Sequence, residues 1–593
     1  MHMKQLYILK ITATLCALII LIILAATEYC SRAYLMFIPV TFMLLAREIS
    51  DLAGYNREEN AVNKTSFFSM NLDELKTRVS ADRLYLGEGF LWEKEQAGAL
   101  YRLLEKDPGI CRFSRNPDFK GSTFIQALGP VQPVYLPLSF FDGHTLIAGT
   151  TGAGKTRLYD LLCAQAIYRG EGLIVIDPKG DRDLYEHLKY VSAACNRELL
   201  FFHPAFSDTS IGINPLHSFT RSTEIASRVS ALVPTAKGNN DPFRSFAFTV
   251  INTIVGGLKL TAQRPTLKLL RYYSDSRISE LCFLAYKCVF DAELKPGHKY
   301  AGEWQTLKKE TSKVPGRLLN KYDVLYQKAL RPYKNGQRPE LEALFALSKH
   351  DAEHYKKMIA SLKPVLDMLT SGEMGSLLSP EEDSTLSRKA YSLSEIVNKN
   401  RLLYVGLDSL TDGQAGAALG SILLADLTAV AGARYNYGNN PGMVNLFVDE
   451  TAEVVNEQLI QLLNKGRGAK FRITIATQTV ADFESRLGSS AKASQVLGNV
   501  NNLISLRVID KETREYISES LPKTRIMFRS QSAVRNQSAD ELTSLNLSVA
   551  DNLTETEMEI FPASMLAELP DLEFIARVGG STVIKGKLPF ITV

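Results

Sequence analysis

Gly149-Thr150-Thr151-Gly152-Ala153-Gly154-Lys155-Thr156 matches G-x-x-x-x-G-K-[ST] at every fixed position. The chemistry such a run can do is to hold a chain of phosphates. Glycines let successive backbone N–H groups close on the oxygens, and the helix that follows adds the positive end of its dipole. Lys155 is placed to reach the β- and γ-phosphates, and the Thr156 hydroxyl to bind Mg²⁺. ATP and Mg²⁺ are the cofactors this predicts. Much later, Leu446-Phe447-Val448-Asp449-Glu450 ends an apolar run in two carboxylates. Asp449 fits a ligand for the same Mg²⁺, and Glu450 a general base that polarises the attacking water.

Three further sites have chemical residues at suggestive spacing. Arg472 to Ala476 leads into Thr477-Gln478. A glutamine at the tip of the strand after the acidic pair can sense the γ-phosphate or orient water; a solvated amide is the plain alternative. Lys465-Gly466-Arg467-Gly468 lies between the acidic pair and that glutamine. Arg467 can bind phosphate in its own subunit, reach a neighbour's site as an arginine finger, or be a surface charge. Asp177-Pro178-Lys179-Gly180-Asp181 closes the strand after the Lys155 helix. A phosphate role and a simple turn fit that spacing equally.

These groups need a scaffold that brings strand ends together. The pattern supplies one. His144 to Ala148, Leu173 to Asp177, Glu198 to Phe202, Leu402 to Val405, Val444 to Val448, Arg472 to Ala476 and Leu503 to Val508 read as buried strands with helices between. Alternation of that kind predicts an α/β fold with a parallel sheet and helices on both faces. Further strands are expected around Phe574 to Arg577 and Thr582 to Ile584. From about Thr223 to Lys389 the periodicity is helical, clearest in Phe246 to Leu258, Ile278 to Phe290 and Ala352 to Leu369. That predicts an inserted all-α domain. Asp107-Pro108-Gly109 and Gly129-Pro130 mark turns in the polar stretch before the sheet.

The chain has 593 residues, 45% hydrophobic and 22% charged, which excludes disorder and a disulfide-stapled mini-protein. The formal net charge of +4 does not by itself argue for nucleic acid. Seven cysteines are scattered without a C-x-x-C pair, against zinc and a disulfide framework. The composition shifts at the start. Ile11 to Thr27 carries no basic or acidic residue, and Ala33 to Ala46 is a second apolar run between Arg32 and Arg47. Two transmembrane helices are expected, at about 6–27 and 33–47, with Thr27 to Arg32 as the outside turn. The second run covers only about 21 Å against a hydrocarbon core of roughly 30 Å. Lys4 and Lys10 favour a cytoplasmic start, and two spans return the ATP site to the cytoplasm. A secretory signal peptide would show the same charged flank but would export that site.

Together these residues resemble the coupling proteins of type IV secretion and conjugation, of the TraD kind. The resemblance rests on the N-terminal hairpin, Asp177-Pro178-Lys179-Gly180-Asp181, Asn214-Pro215-Leu216, the helical insertion, Val448-Asp449-Glu450, Gly466-Arg467 and Gln478. It implies a RecA-like motor domain in a homohexameric ring in the cell inner membrane, multi-pass, with the large domain in the cytoplasm. It also implies delivery of a relaxase-bound single-stranded DNA to the secretion channel proteins at the cost of ATP. Arg467 matches the family's arginine finger. The expected division is 1–50 membrane hairpin, 51–132 lead-in, 133–222 first part of the nucleotide-binding domain, 223–390 all-α domain, and 391–593 second part with a C-terminal segment. Lys511 to Val593 carries no assignable motif. An FtsK-like double-stranded DNA pump is a second reading, without the expected linker and winged helix. A third is an adaptor for secreted proteins whose ATP site is regulatory, against which Lys155, Asp449 and Glu450 argue. No L-S-G-G-Q of an ABC transporter is present.

Overall fold

Leu-, Ile- and Val-rich runs with no polar alternation bury both faces of a strand, which only a sheet covered on two sides allows. The computed structural model has such a sheet at its centre. It describes residues 2–26, 37–63, 68–106, 120–233, 241–275, 277–311, 314–380, 389–438, 441–536 and 546–592. Asn502–Ser505, Thr145–Ala148, Phe471–Thr477, Val444–Val448, Gly172–Asp177, Leu402–Gly406 and Leu199–Phe202 lie side by side in that order, all parallel. The strand carrying the phosphate-loop motif is thus flanked on both sides.

The sheet is 11-stranded and mixed, which corrects the expectation of a parallel one. Glu573–Val578 pairs antiparallel with Asn502–Ser505, then Thr582–Lys587, Arg83–Leu91 and Gln132–Pro137 continue antiparallel to the edge. The cause is local. Gly579 and Gly580, at φ 63° and 95°, turn the chain straight back, and a hairpin can pair only antiparallel. Arg83–Leu91 comes from the stretch read as lead-in, and Gln132–Pro137 begins at its last residue, so 51–132 contributes to the sheet. A short parallel pair, Ser69–Asn71 with Phe590–Thr592, lies beside it.

Between Ser222–Ser230 and Gly372–Leu378 the described residues form helices and no strand. Ala352 to Leu369 is two helices, Ala352–Met358 and Leu362–Thr370, rather than one. Pro364 explains the restart: within the first turn its missing N–H has no intrahelical partner to lose. Beyond the last parallel strand, Lys523–Asn536 and Asn546–Glu559 form an antiparallel ribbon. Trp92 Nε1 donates to Ile560 O at 2.8 Å at its base.

The transmembrane hairpin is not shown. Among the described residues the one helix long and apolar enough to cross a bilayer is Gly413–Tyr437, and 78% of its apolar window is buried in the protein. It is a core helix. The apolar stretch Ile8–Leu24 falls short of the roughly 20 residues that a helix needs to cross a bilayer. The first helix, His2–Ala26, packs on the second, Phe37–Asn63, with Thr14 Oγ1 donating to Glu48 Oε2 at 2.7 Å. The second helix turns polar after Ala46. The turns read at Thr27 to Arg32 and at Asp107-Pro108-Gly109 lie outside the described residues.

Candidate nucleotide site

The phosphate loop leaves the buried Thr145–Ala148 strand and enters the Lys155–Tyr168 helix. Gly154 stands at φ 114°, a conformation open to glycine, and a Cβ there would lie 2.8 Å from Leu572 Cδ2. Neighbouring strands fix the loop backbone. Gly149 N–H donates to Thr477 O (3.2 Å), Thr150 N–H to Arg507 O (2.9 Å), and Leu572 N–H to Ala153 O (3.1 Å). At Gly152, by contrast, a Cβ would meet nothing within 4 Å, so that side of the loop is open. Lys155 is folded back, its Nζ donating to Gly149 O at 2.8 Å. Burial draws the Lys155 ammonium below its ordinary value against the pull of Glu450 and Asp449.

Glu450 is the hub of the site. Its Oε1 accepts from Lys179 Nζ at 2.8 Å and from Gln478 Nε2 at 2.8 Å, and lies 3.7 Å from Lys155 Nζ. Burial alone would raise the carboxyl, but the Lys179 hydrogen bond, the Lys155 charge and the Gln478 amide outweigh it and hold it below its ordinary value. Gln478 also accepts from the Thr151 hydroxyl at 3.3 Å, so its amide bridges the phosphate loop and the acidic pair. Glu450 sits at φ 37°, in the left-handed region that a side chain bearing a Cβ seldom adopts. Asp449 is pushed up to about 6 by burial, with Asp177 and Glu450 adding repulsion.

The expected residues Gly149, Thr150, Thr151, Gly152, Ala153, Gly154, Lys155, Thr156, Asp449, Glu450 and Gln478 therefore converge at the C-terminal ends of the parallel strands. Lys179 joins them, and the turn around it is built for rigidity. Asp177 accepts from the backbone N–H of Lys179 (2.9 Å) and Asp181 (2.6 Å) and from Tyr404 Oη (2.7 Å). The motif signalled a site; only the fold supplied its partner, Glu450. Tyr404 and Leu572 carried no readable signal, since one acts through a distant strand and the other through its backbone.

The site suits Mg-nucleotide. Among the described residues no group of three or more His, Cys, Asp or Glu could hold a metal alone. An ion would instead share phosphate oxygens with Thr156 and Asp449, as Mg²⁺ does at phosphate sites. Asp449, flanked by two carboxylates, is a group that a cation would relieve.

Arg467 is elsewhere. It lies in the short turn Gly466–Ala469 that precedes the Phe471–Thr477 strand, while Gln478 follows it. Seven strand residues separate the two ends, about 23 Å. Its own phosphate loop is out of reach, which removes the first of the three roles open to it.

Residues 443–571 match the family model described as the TraM recognition site of TraD and TraG. Residues 124–217 match that of the central domain of helicase HerA. No curated protein matches the chain. Among solved structures, the bacterial conjugative coupling protein TrwBdeltaN70 superposes with a TM-score of 0.50 at 16% identity, over 77% of this chain and 86% of that one. The plasmid coupling protein TrwB in complex with the ATP analogue ADPNP gives 0.49 at 16%, over 76% and 87%. VirB4 of Thermoanaerobacter pseudethanolicus gives 0.39 at 14%, over 77% and 94%. Fold and site define a P-loop α/β nucleotide-binding protein with a mixed sheet and many helices. The resemblance to conjugative coupling proteins of the TraD kind, carried by the motifs, holds, and the fold extends it to TrwB.

Proposed function

We propose that this chain is an ATP-driven coupling protein of a type IV secretion system. On this reading it recruits a relaxase-bound single-stranded DNA and passes it to the secretion channel proteins. The observation that carries the proposal is the Glu450 hub, wired at once to Lys155, Lys179 and Gln478, on a fold like that of TrwB. The TraM-recognition match over 443–571 supports a place among the DNA-processing partners of conjugation.

ATP and Mg²⁺ are the proposed cofactors, and the TrwB structures with an ATP analogue, and with ADP and Mg²⁺, support them. Bound Mg²⁺ would polarise the γ-phosphate and offset its charge. The chain's own residues do the rest. Lys155 leaves Gly149 O for the phosphates. Glu450, kept ionised by Lys179, takes the proton of the attacking water. Gln478 reports the state of the loop to Glu450 through Thr151. Arg467, at the opposite end of its strand, acts on a neighbour's site in a homohexamer. We further propose the domain division given above, with the N-terminal helices anchoring the chain in the inner membrane as a hairpin and the large domain in the cytoplasm. Ile19, Ile20, Ile23, Phe42 and Met43 support this, for all are exposed on those two helices. Apolar surface of that extent calls for a non-aqueous partner.

The test is ATP hydrolysis by the full chain in detergent, with and without single-stranded DNA. Hydrolysis that requires Lys155 and rises with DNA is expected. A rate unaffected by Lys155→Ala, or blind to DNA, would overturn the reading.

A further inference from the structure

A cleft of about 760 Å³ opens at the end of the sheet away from the phosphate loop, lined by Gly143, Arg467, Asn501, Tyr516, Arg577 and Gly579 among others. Its size suits a nucleotide-scale ligand. Its charge is unusual: two arginines line it and no acidic residue does. Two arginines on or just beyond the parallel strands are matched. Arg472 lies 2.8 Å from Asp142, and Arg507 2.5 Å from Asp571. Arg467 and Arg577 make no ion pair among the described residues. The Arg577 Nε is shut off from solvent yet has no hydrogen-bond partner in the protein. A buried Nε–H is costly unless an acceptor completes it, and the rest of the half-buried Arg577 guanidinium is left to the cleft. Gly579, at φ 63°, and Gly580 form the turn one residue beyond Arg577 and carry no side chain into that wall.

We propose that Arg577 acts with Arg467 to hold the phosphates of a nucleotide bound by a second copy of the chain. The proposal rests on the ATPase reading above and extends it to a residue outside every motif. The ligand is a phosphate chain because planar guanidinium groups pair two-pronged with phosphate oxygens. It comes from another copy because the chain's own phosphate loop is at the far end of the same strands. Each arginine is thus a catalytic residue of a site whose Lys155 and Glu450 belong to the neighbour.

The experiment uses full-length chains in detergent. Arg577→Ala alone should lower DNA-stimulated turnover by about 10²-fold, the scale of losing one oriented donor to a developing charge, with thermal unfolding unchanged. Arg577→Lys should recover part of it. Arg577→Ala is then mixed in equal amounts with Lys155→Ala, itself inactive, and mixed assembly is confirmed by mass. An intact site forms wherever an Arg577→Ala chain supplies the phosphate loop and a Lys155→Ala chain the arginines. Roughly a quarter of interfaces meet that condition in random head-to-tail rings. Recovered turnover supports the proposal. Recovery in an Arg467→Ala plus Lys155→Ala mixture but not in the Arg577 mixture overturns Arg577 alone. Recovery in neither overturns the shared site itself. If Arg577→Ala instead weakens single-stranded DNA binding measured without nucleotide, the cleft serves nucleic acid and the proposal fails.

Discussion

Lys179 Nζ and Glu450 Oε1, 271 residues apart in sequence, are joined by a 2.8 Å hydrogen bond at the mouth of the phosphate loop. The bond links the turn after one parallel strand to the carboxylate after its neighbour. Lys179→Met should leave nucleotide affinity within a few-fold and lower turnover by about tenfold, since a misplaced base loses part of the 10²–10⁴ that such catalysis contributes. Fluorescent-nucleotide binding beside steady-state hydrolysis separates the two. Unchanged turnover would make the contact structural only.

Glu450→Gln keeps the size and the left-handed backbone but cannot take a proton. Nucleotide binding should persist while turnover drops by roughly 10²–10⁴. A variant that hydrolyses ATP at the normal rate would remove Glu450 from the chemistry.

His144 gives a pH dependence of stability. The ring is buried, and its Nδ1 accepts from Ile473 N–H at 3.2 Å. Burial lowers it from 6.5 to about 4. The unfolded chain therefore takes up this proton first as pH falls. The contribution is fully present above about pH 6.5 and is lost on descending to about 4, a span worth roughly 3 kcal/mol. Between pH 7.5 and 5 the wild type should lose about 2 kcal/mol more than His144→Asn, measured by denaturant unfolding. Parallel profiles would contradict this.

Arg228 and Asp426 form a 2.8 Å ion pair, almost wholly buried, and Arg228 also donates to Pro215 O at 2.8 Å. The pair ties the start of the helical region to the core helix Gly413–Tyr437. Asp426→Ala leaves a buried cation without its anion and should cost about 3–5 kcal/mol. Arg228→Met together with Asp426→Leu should recover most of that in thermal unfolding. No recovery would mean that the pair does more than neutralise itself.

The parallel half of the sheet was legible because fully buried strands are plain apolar runs, and Val444 to Val448 matches the observed strand end for end. Lys155, Asp449, Glu450 and Gln478 were legible by type and spacing. The antiparallel wing was not: Ile584 pairs with Leu91, and no local pattern encodes a partner so distant. The core role of Gly413–Tyr437 was not legible either. Apolar length measures how much a helix avoids water, not whether protein or lipid replaces it. Leu572 closes the phosphate loop through its main chain, which no residue type announces.

The two margins of the sheet have a consequence for how copies of this chain can meet. At one, Gln132–Pro137 includes Pro133 and Pro137, which have no N–H to offer. At the other, Phe201 O already accepts from Ile211 N–H at 2.9 Å, and Ser210 Oγ occupies His203 N–H. Neither margin is a ready template for another strand. Any contact made at those two margins would rest on side-chain shape and charge, and could loosen and re-form without a main-chain ladder being torn.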